Sequence, residues 1–303
     1  MRADLVELAR AGLGRELVTV TPMRGGTRKG VHRLTFEDDS TAVLYTWAPA
    51  AGYWPELDED PASPFTADSG IDLFDSARTQ LEALGVRTPR VHLLDRSRTL
   101  YPADIAVVED VRGQRTDRTL PALGDALRAM ARHEGAGFGR LRGGTAQDRS
   151  CEQVVLERAL GHLAQAAARV ERVGAARDEL EHALRSLAGA IEPRTRYGLV
   201  HGELGPEHVL VGTDGLPVII DIEGLMFFDV EWEHAFLRFR FGEDYLWLEV
   251  DGLDERRLDF YRLALHLSLI EGPLRLLDGD FPHRAGMLEI VEANIVHALE
   301  FLR

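Results

Sequence analysis

The chain has 303 residues, 45% of them hydrophobic, enough to bury a substantial core in one large domain or two lobes and to set disorder aside. A formal net charge of −15 works against nonspecific binding to nucleic-acid phosphates, and it suits either a cationic small-molecule substrate or simply a soluble acidic surface. One cysteine, Cys151, rules out an intrachain disulfide framework, and the absence of an apolar leader or of any 18-residue apolar run makes a cytoplasmic protein without a membrane partner the expectation.

Leu5 to Leu17 carries apolar residues near helical spacing and predicts a helix. Three strands follow, at Val18 to Val20, Val31 to Phe36 and Thr41 to Thr46. The first two are joined by a glycine-rich turn, Arg24 to Gly30, and the last two by an Asp38-Asp-Ser turn, which predicts an antiparallel sheet. The stretch from Trp47 to Gly70 is irregular, with four prolines, four bulky aromatics and the acidic run Asp58-Glu-Asp; it reads equally as a lid or as a packed surface insertion. Ile71 to Leu84 is a helix ending at Gly85, followed by strands near Val91 to Leu94 and Ile105 to Val108. Beyond Arg112 the pattern is almost wholly helical: Leu120 to His133, Cys151 to Val173, Ala175 to Ile191, Val230 to Phe241, Asp254 to Ile270 and His283 to Leu302.

The chemistry concentrates in residues 198 to 224. A short apolar strand, Gly198 to Val200, leads into His201-Gly-Glu-Leu-Gly-Pro-Glu-His208; a second apolar stretch crosses the Thr213-Asp-Gly-Leu-Pro turn, and Val218-Ile-Ile ends on Asp221. This layout resembles the aminoglycoside phosphotransferase family, whose pattern is His-Gly-Asp, four residues, Asn or His, and then Ile-Asp-Phe/Trp. The resemblance covers most of the chain. It implies an α+β, two-lobed protein-kinase-like fold: an N-lobe over 1–112 with antiparallel sheet, helix and glycine-rich hairpin, and a mainly helical C-lobe over 113–303 with the catalytic loop and metal site.

The resemblance also implies roles. Glu203 stands at the base position, where the family has Asp, and would orient and deprotonate an attacking hydroxyl. Asp221 would bind Mg²⁺ bridging the phosphates of ATP or GTP. His208 would be the second metal ligand, or would hydrogen-bond Glu203 or a phosphate. His201 is expected to be scaffold. Gly25, Gly26, Arg28 and Lys29 would cover the phosphates, and Glu109 to Val111 would be the inter-lobe connection that reads the base. Few residues separate Asp221 from the next helix, leaving no room for a peptide-binding activation segment. A small-molecule hydroxyl acceptor is therefore implied, antibiotic-like or a biosynthetic intermediate. Glu223 is the candidate substrate contact, while Asp229 and Glu233 read as a helix cap and a packing contact beneath the catalytic loop.

The family places a lysine on the third strand, paired with a glutamate on the following helix. Here Tyr45 and Ala77 fill those positions, so both halves of the ion pair are absent together. Lys29 is the only lysine among 35 basic residues, and phosphate neutralisation falls to Lys29, Arg28, Arg33 or the metal. A zinc site of His201, Glu203 and His208 is disfavoured by the seven-residue gap between the histidines. Walker and dinucleotide fingerprints are absent. The competing reading is a pseudokinase, a nucleotide- or ligand-binding regulatory module in which Tyr45, Ala77 and Glu203 record lost catalysis.

Overall fold

The computed structural model describes residues 3–23, 28–48, 53–54, 63–66, 69–142 and 149–303. The chain divides into two compact units, one made of Met1–Tyr53, Ala67–Ala126 and Glu207–Gly224, the other of Trp54–Thr66, Leu127–Pro206 and Leu225–Arg303. The division expected near Arg112 therefore falls inside the first unit, and the segment carrying His208, Asp221 and Glu223 groups with the sheet. Backbone pairing is the cause: the N–H of Gly113 donates to the carbonyl of Val211 (2.6 Å) and that of Ile219 to the carbonyl of Arg87 (2.9 Å).

In the first unit, helix α1 (Ala3–Glu7) continues as a wider π-wound stretch, Leu8–Gly12. The helix expected to reach Leu17 stops earlier, because Gly14 takes a left-handed conformation (φ 65°) and turns its N–H onto the carbonyl of Arg10. Leu17 instead opens strand β1 (Leu17–Pro22). With β2 (Gly30–Phe36), β3 (Thr41–Trp47), β4 (Val91–Asp95) and β5 (Asp104–Glu109) it forms an antiparallel sheet of order β1-β2-β3-β5-β4.

Strand β3 lies at the centre, and its alternation separates two buried faces. Ala42 and Leu44 join Leu5, Leu8, Leu34 and Ile105 in one cluster. Tyr45 is on the other face and meets Phe74 of helix α2 (Ile71–Ala83), ring centroids 5.8 Å apart. Ile71, Phe74, Ala77 and Leu81 form the buried stripe of α2, at the i, i+3, i+4 spacing of a helix packed on one side.

The second unit takes in the end of α3 (Thr119–Arg132) and the helices α4 (Cys151–Arg169), α5 (Glu171–Ala175), α6 (Arg177–Gly189), α7 (Val230–Phe241), α8 (Glu255–Leu276) and α9 (Arg284–Glu300). The single helix expected over Cys151 to Val173 is two. Val170 adopts an extended conformation, and the chain folds back so that Val173 is fully buried. A capping box between Ser150 and Gln153 fixes the start of α4. Helix α8 runs on past Ile270 and contains Pro273 in its last turns.

Four short strands, β6 (Glu134–Gly135), β7 (Gly139–Arg140), β8 (Tyr197–Val200) and β11 (Met226–Phe228), pair in the order β6-β8-β11-β7. Only β8 was expected, since two- and three-residue strands carry no readable period. Of the 47–70 stretch, the acidic run lies outside the described residues. The described part includes Phe65, whose ring meets Phe228 (5.3 Å) and Trp232 (5.0 Å), and Thr66, whose carbonyl accepts from Arg140 (3.1 Å); these are packing contacts of the second unit.

Candidate active site

The loop that follows β8 is held from below. Gly202 has φ 91°, a left-handed conformation that glycine tolerates, and its N–H donates to Glu233 Oε2 at 2.6 Å. Glu233 comes from the first turn of α7 and is 3% exposed. His201 is buried beside Gly202, as a scaffold residue would be, while Glu203 is exposed. Burial raises the Glu233 carboxyl to about 7, against the opposing hydrogen bonds from the N–H groups of Gly202, His201 and Leu204.

This carboxyl gives a pH signature. Its folded pKa lies above its ordinary value of 4.5, so its contribution to stability is fully present below about pH 4.5 and is lost as pH rises through 7. Glu233→Gln keeps an acceptor for Gly202 and cannot ionise. Relative to wild type, the variant is expected to gain on the order of 3 kcal/mol between pH 4.5 and pH 8, measured as denaturant midpoints across that range. A constant difference would show that Glu233 does not ionise in the fold.

Residues Glu207–Gly224 carry the remaining site residues within the first unit. The short turn Pro206–His208 leads into β9 (Val209–Val211), which pairs with β10 (Pro217–Ile219). The N–H of Ile220 donates to the His208 carbonyl (3.0 Å), tying the histidine's backbone to the strand end. Asp221 follows with φ 60°, a left-handed conformation to which Asp and Asn adapt more readily than other side chains. Its carboxylate is half-exposed: Oδ1 accepts from Lys29 Nζ at 2.9 Å, and Oδ2 lies 3.6 Å from His208 Nε2. Lys29 Nζ is also 2.5 Å from Glu223 Oε1 and 5.1 Å from the Tyr45 ring centroid.

Lys29 and Glu223 are nearly excluded from solvent, their side chains 8% and 7% exposed. Burial alone would lower the lysine, but the charges of Glu223 and Asp221 outweigh it and hold the ammonium above its ordinary range. Burial pushes the Tyr45 hydroxyl up to about 12. Glu223 was expected as a substrate contact; in the fold its carboxylate turns inward and holds Lys29.

The other expected site residues are more dispersed. Arg33 is engaged by Asp110 (2.8 Å), a carboxyl that burial would raise but that its bonds to Arg33 and Arg112 hold below its usual range. Arg28 is half-buried. Glu109 pairs with Arg87 (3.2 Å), its N–H donates to the Arg90 carbonyl (2.8 Å), and Val111 is half-buried in the segment that follows β5. Gly25 and Gly26 lie outside the described residues.

The donor set suits Mg²⁺. That ion commonly takes one or two carboxylates and completes its shell with water and substrate phosphates, and Asp221 offers a half-exposed carboxylate with His208 beside it. Among the described residues, Cys151, Glu152 and Asp229, a grouping the sequence does not show, offer ligand atoms within 4.8 Å of one another. A guanidinium already stands there: Arg257 Nη1 lies 2.5 Å from both Glu152 and Asp229. Asp229 also caps α7, accepting from the N–H of Glu231 (3.4 Å).

A five-stranded antiparallel sheet with one helix packed on it, and a mainly helical unit carrying the His-Gly-Glu loop, make up a protein-kinase-like fold. Residues 58–266 match the model of the phosphotransferase enzyme family, APH, and the chain belongs to that family. No curated protein matches.

Among solved structures, spectinomycin phosphotransferase APH(9)-Ia in complex with ADP and spectinomycin has a TM-score of 0.66 at 15% identity, over 98% of this chain and 97% of that one. A putative fructosamine-3-kinase from Thermobifida fusca has a TM-score of 0.55 at 20% identity, over 98% of both chains. The choline kinase LicA from Streptococcus pneumoniae has a TM-score of 0.63 at 13% identity, over 98% and 97%. At these identities the likeness is one of fold. No helix among the described residues is long and apolar enough to cross a membrane.

Proposed function

We propose that this protein transfers the γ-phosphoryl group of ATP or GTP to a hydroxyl of a small molecule. The observation that carries the reading is the set of groups around Asp221: a half-exposed carboxylate at a strand end, with an ammonium at 2.9 Å and an imidazole at 3.6 Å. Phosphoryl transfer needs positioning and charge neutralisation more than covalent chemistry, and these groups are suited to both. Asp221 and His208 would hold Mg²⁺, which when bound neutralises charge on the β- and γ-phosphates. Lys29 and Arg28 donate to phosphate oxygens, Glu109 to Val111 lie against the base, and Glu203 accepts the proton of the acceptor hydroxyl. The solved relatives' names include a spectinomycin phosphotransferase and a choline kinase, and a polyhydroxylated or amine-bearing acceptor fits the acidic chain.

Nucleotide binding tests this reading. Ligand at about 100 times its dissociation constant stabilises a fold by roughly 2.7 kcal/mol, so ATP or GTP with Mg²⁺ is expected to raise the melting temperature. Asp221→Asn keeps the size and tolerates the left-handed backbone, and it is expected to remove the Mg²⁺-dependent part of the shift. No shift with any nucleoside triphosphate would rule the reading out.

A further inference from the structure

The third strand and the helix after it lack the lysine and glutamate of the family pattern, yet a buried lysine–glutamate pair exists in the same unit. Lys29 precedes β2 by one residue, and the register Val31↔Tyr45 runs the start of β2 alongside Tyr45. The Lys29 side chain accordingly lies over the Tyr45 ring, with Nζ 5.1 Å from its centroid. Glu223 sits in the turn Ile222–Gly224, which packs against α2, the helix that carries Ala77. The pair closes at 2.5 Å with both side chains under a tenth exposed.

Mutual exclusion explains why the residues differ together. A lysine at 45 would bring a second ammonium close to Lys29, and a glutamate at 77 would add another buried carboxylate on the helix against which the turn of Glu223 packs; either alone would leave the buried charges unbalanced. Tyr45 is flat enough to underlie the ammonium and adds a cation–π contact. Ala77, 1% exposed, adds no side chain that would compete for the pair.

We propose that Lys29 and Glu223 are a transposed version of that ion pair: Lys29 reaches the nucleotide phosphates from the residue before β2 instead of from the third strand, and Glu223 is the positioning residue that holds it. The proposal rests on the phosphotransferase reading. It gives Glu223 a role toward Lys29 in place of the acceptor contact expected from its place in the sequence.

The test measures dissociation constants for Mg²⁺ with ATP and with GTP, and for adenosine and guanosine, by calorimetry. Lys29→Met is expected to weaken triphosphate binding about 10- to 100-fold, the range for losing a hydrogen bond to a charged group, and to leave nucleoside binding unchanged. Lys29→Met/Tyr45→Lys is expected to recover most of the loss, because it returns an ammonium to the same place from β3. Glu223→Gln is expected to weaken triphosphate binding by less than Lys29→Met does, again without effect on nucleosides. Should Lys29→Met fail to fold, Lys29→Met/Glu223→Gln removes both charges and is expected to show the same triphosphate-specific loss. Wild-type triphosphate affinity in a folded Lys29→Met or double variant would overturn the transposition while leaving the phosphotransferase reading standing, and so would a folded Tyr45→Lys combination that recovers nothing. If wild type itself bound no triphosphate, the broader reading would fail first.

Discussion

Glu203→Gln is expected to bind nucleotide as wild type does and to lose about 10²- to 10⁴-fold in turnover, the usual contribution of a positioned acid–base group. The side chain is exposed, and the backbone of its loop is held independently by Glu233 through Gly202. Exchange of the carboxylate for an amide therefore removes the proposed proton acceptor while leaving the Gly202–Glu233 support in place. Glu203→Asp separates two histories: a loop adapted to the longer side chain is impaired by shortening, whereas a degraded site gains from receiving the family's residue. The measurement is release of nucleoside diphosphate in the presence of polyhydroxylated and amine-bearing acceptors, for wild type and both variants. Equal background rates in all three, with no dependence on acceptor, would favour the pseudokinase.

Arg257→Met carries the largest expected cost to stability. Arg257 lies in α8 with its side chain 4% exposed and bridges Glu152 of α4 and Asp229 at the start of α7, each at 2.5 Å. It also donates to the carbonyl of Glu192, and Tyr261 donates to Asp229 at 2.8 Å. Burial would push the Glu152 carboxyl up, but the hydrogen bond from Arg257 outweighs it and holds it below the ordinary carboxylate range. Without the guanidinium, two buried carboxylates lose the charge they share, and Arg194 Nε, 3.4 Å from Asp229, is left to offset it. Breaking a buried pair from one side typically costs about 3–5 kcal/mol, and at roughly 2–4 °C per kcal/mol for a chain of this size class the melting temperature is expected to fall by about 10 °C. A loss below about 1 kcal/mol, the range of exposed ion pairs, would mean that solvent reaches the network.

What could be read from the sequence was what is local in it. Strands at Val31 to Phe36 and Thr41 to Thr46 and the helix from Ile71 follow from period and turn chemistry over a few residues, and β2, β3 and α2 lie there. The run from Gly198 to Asp221 kept its order because one loop and one hairpin carry it. Reading Tyr45 and Ala77 as joint replacements was possible from strand and helix alignment alone. The residue that sits over Tyr45 was not legible as such, since Lys29 meets Asp221 and Glu223 across 192 and 194 positions and no local pattern encodes such a meeting. Arg257 and Asp229 were invisible as a pair for the same reason. The break at Val170 escaped because amphipathic spacing continues across it while the backbone does not.

The lone lysine has one more consequence, for how this protein can be probed. A protease specific for lysine has a single peptide bond to cut in the whole chain, Lys29–Gly30, and Gly30 is already paired with Thr46 in the sheet. Cleavage there requires local opening of that end of β2, so when opening and closing are fast the cutting rate follows the population of the open form. The digest yields just two fragments, and its rate reports the opening of the start of β2 without any label being attached.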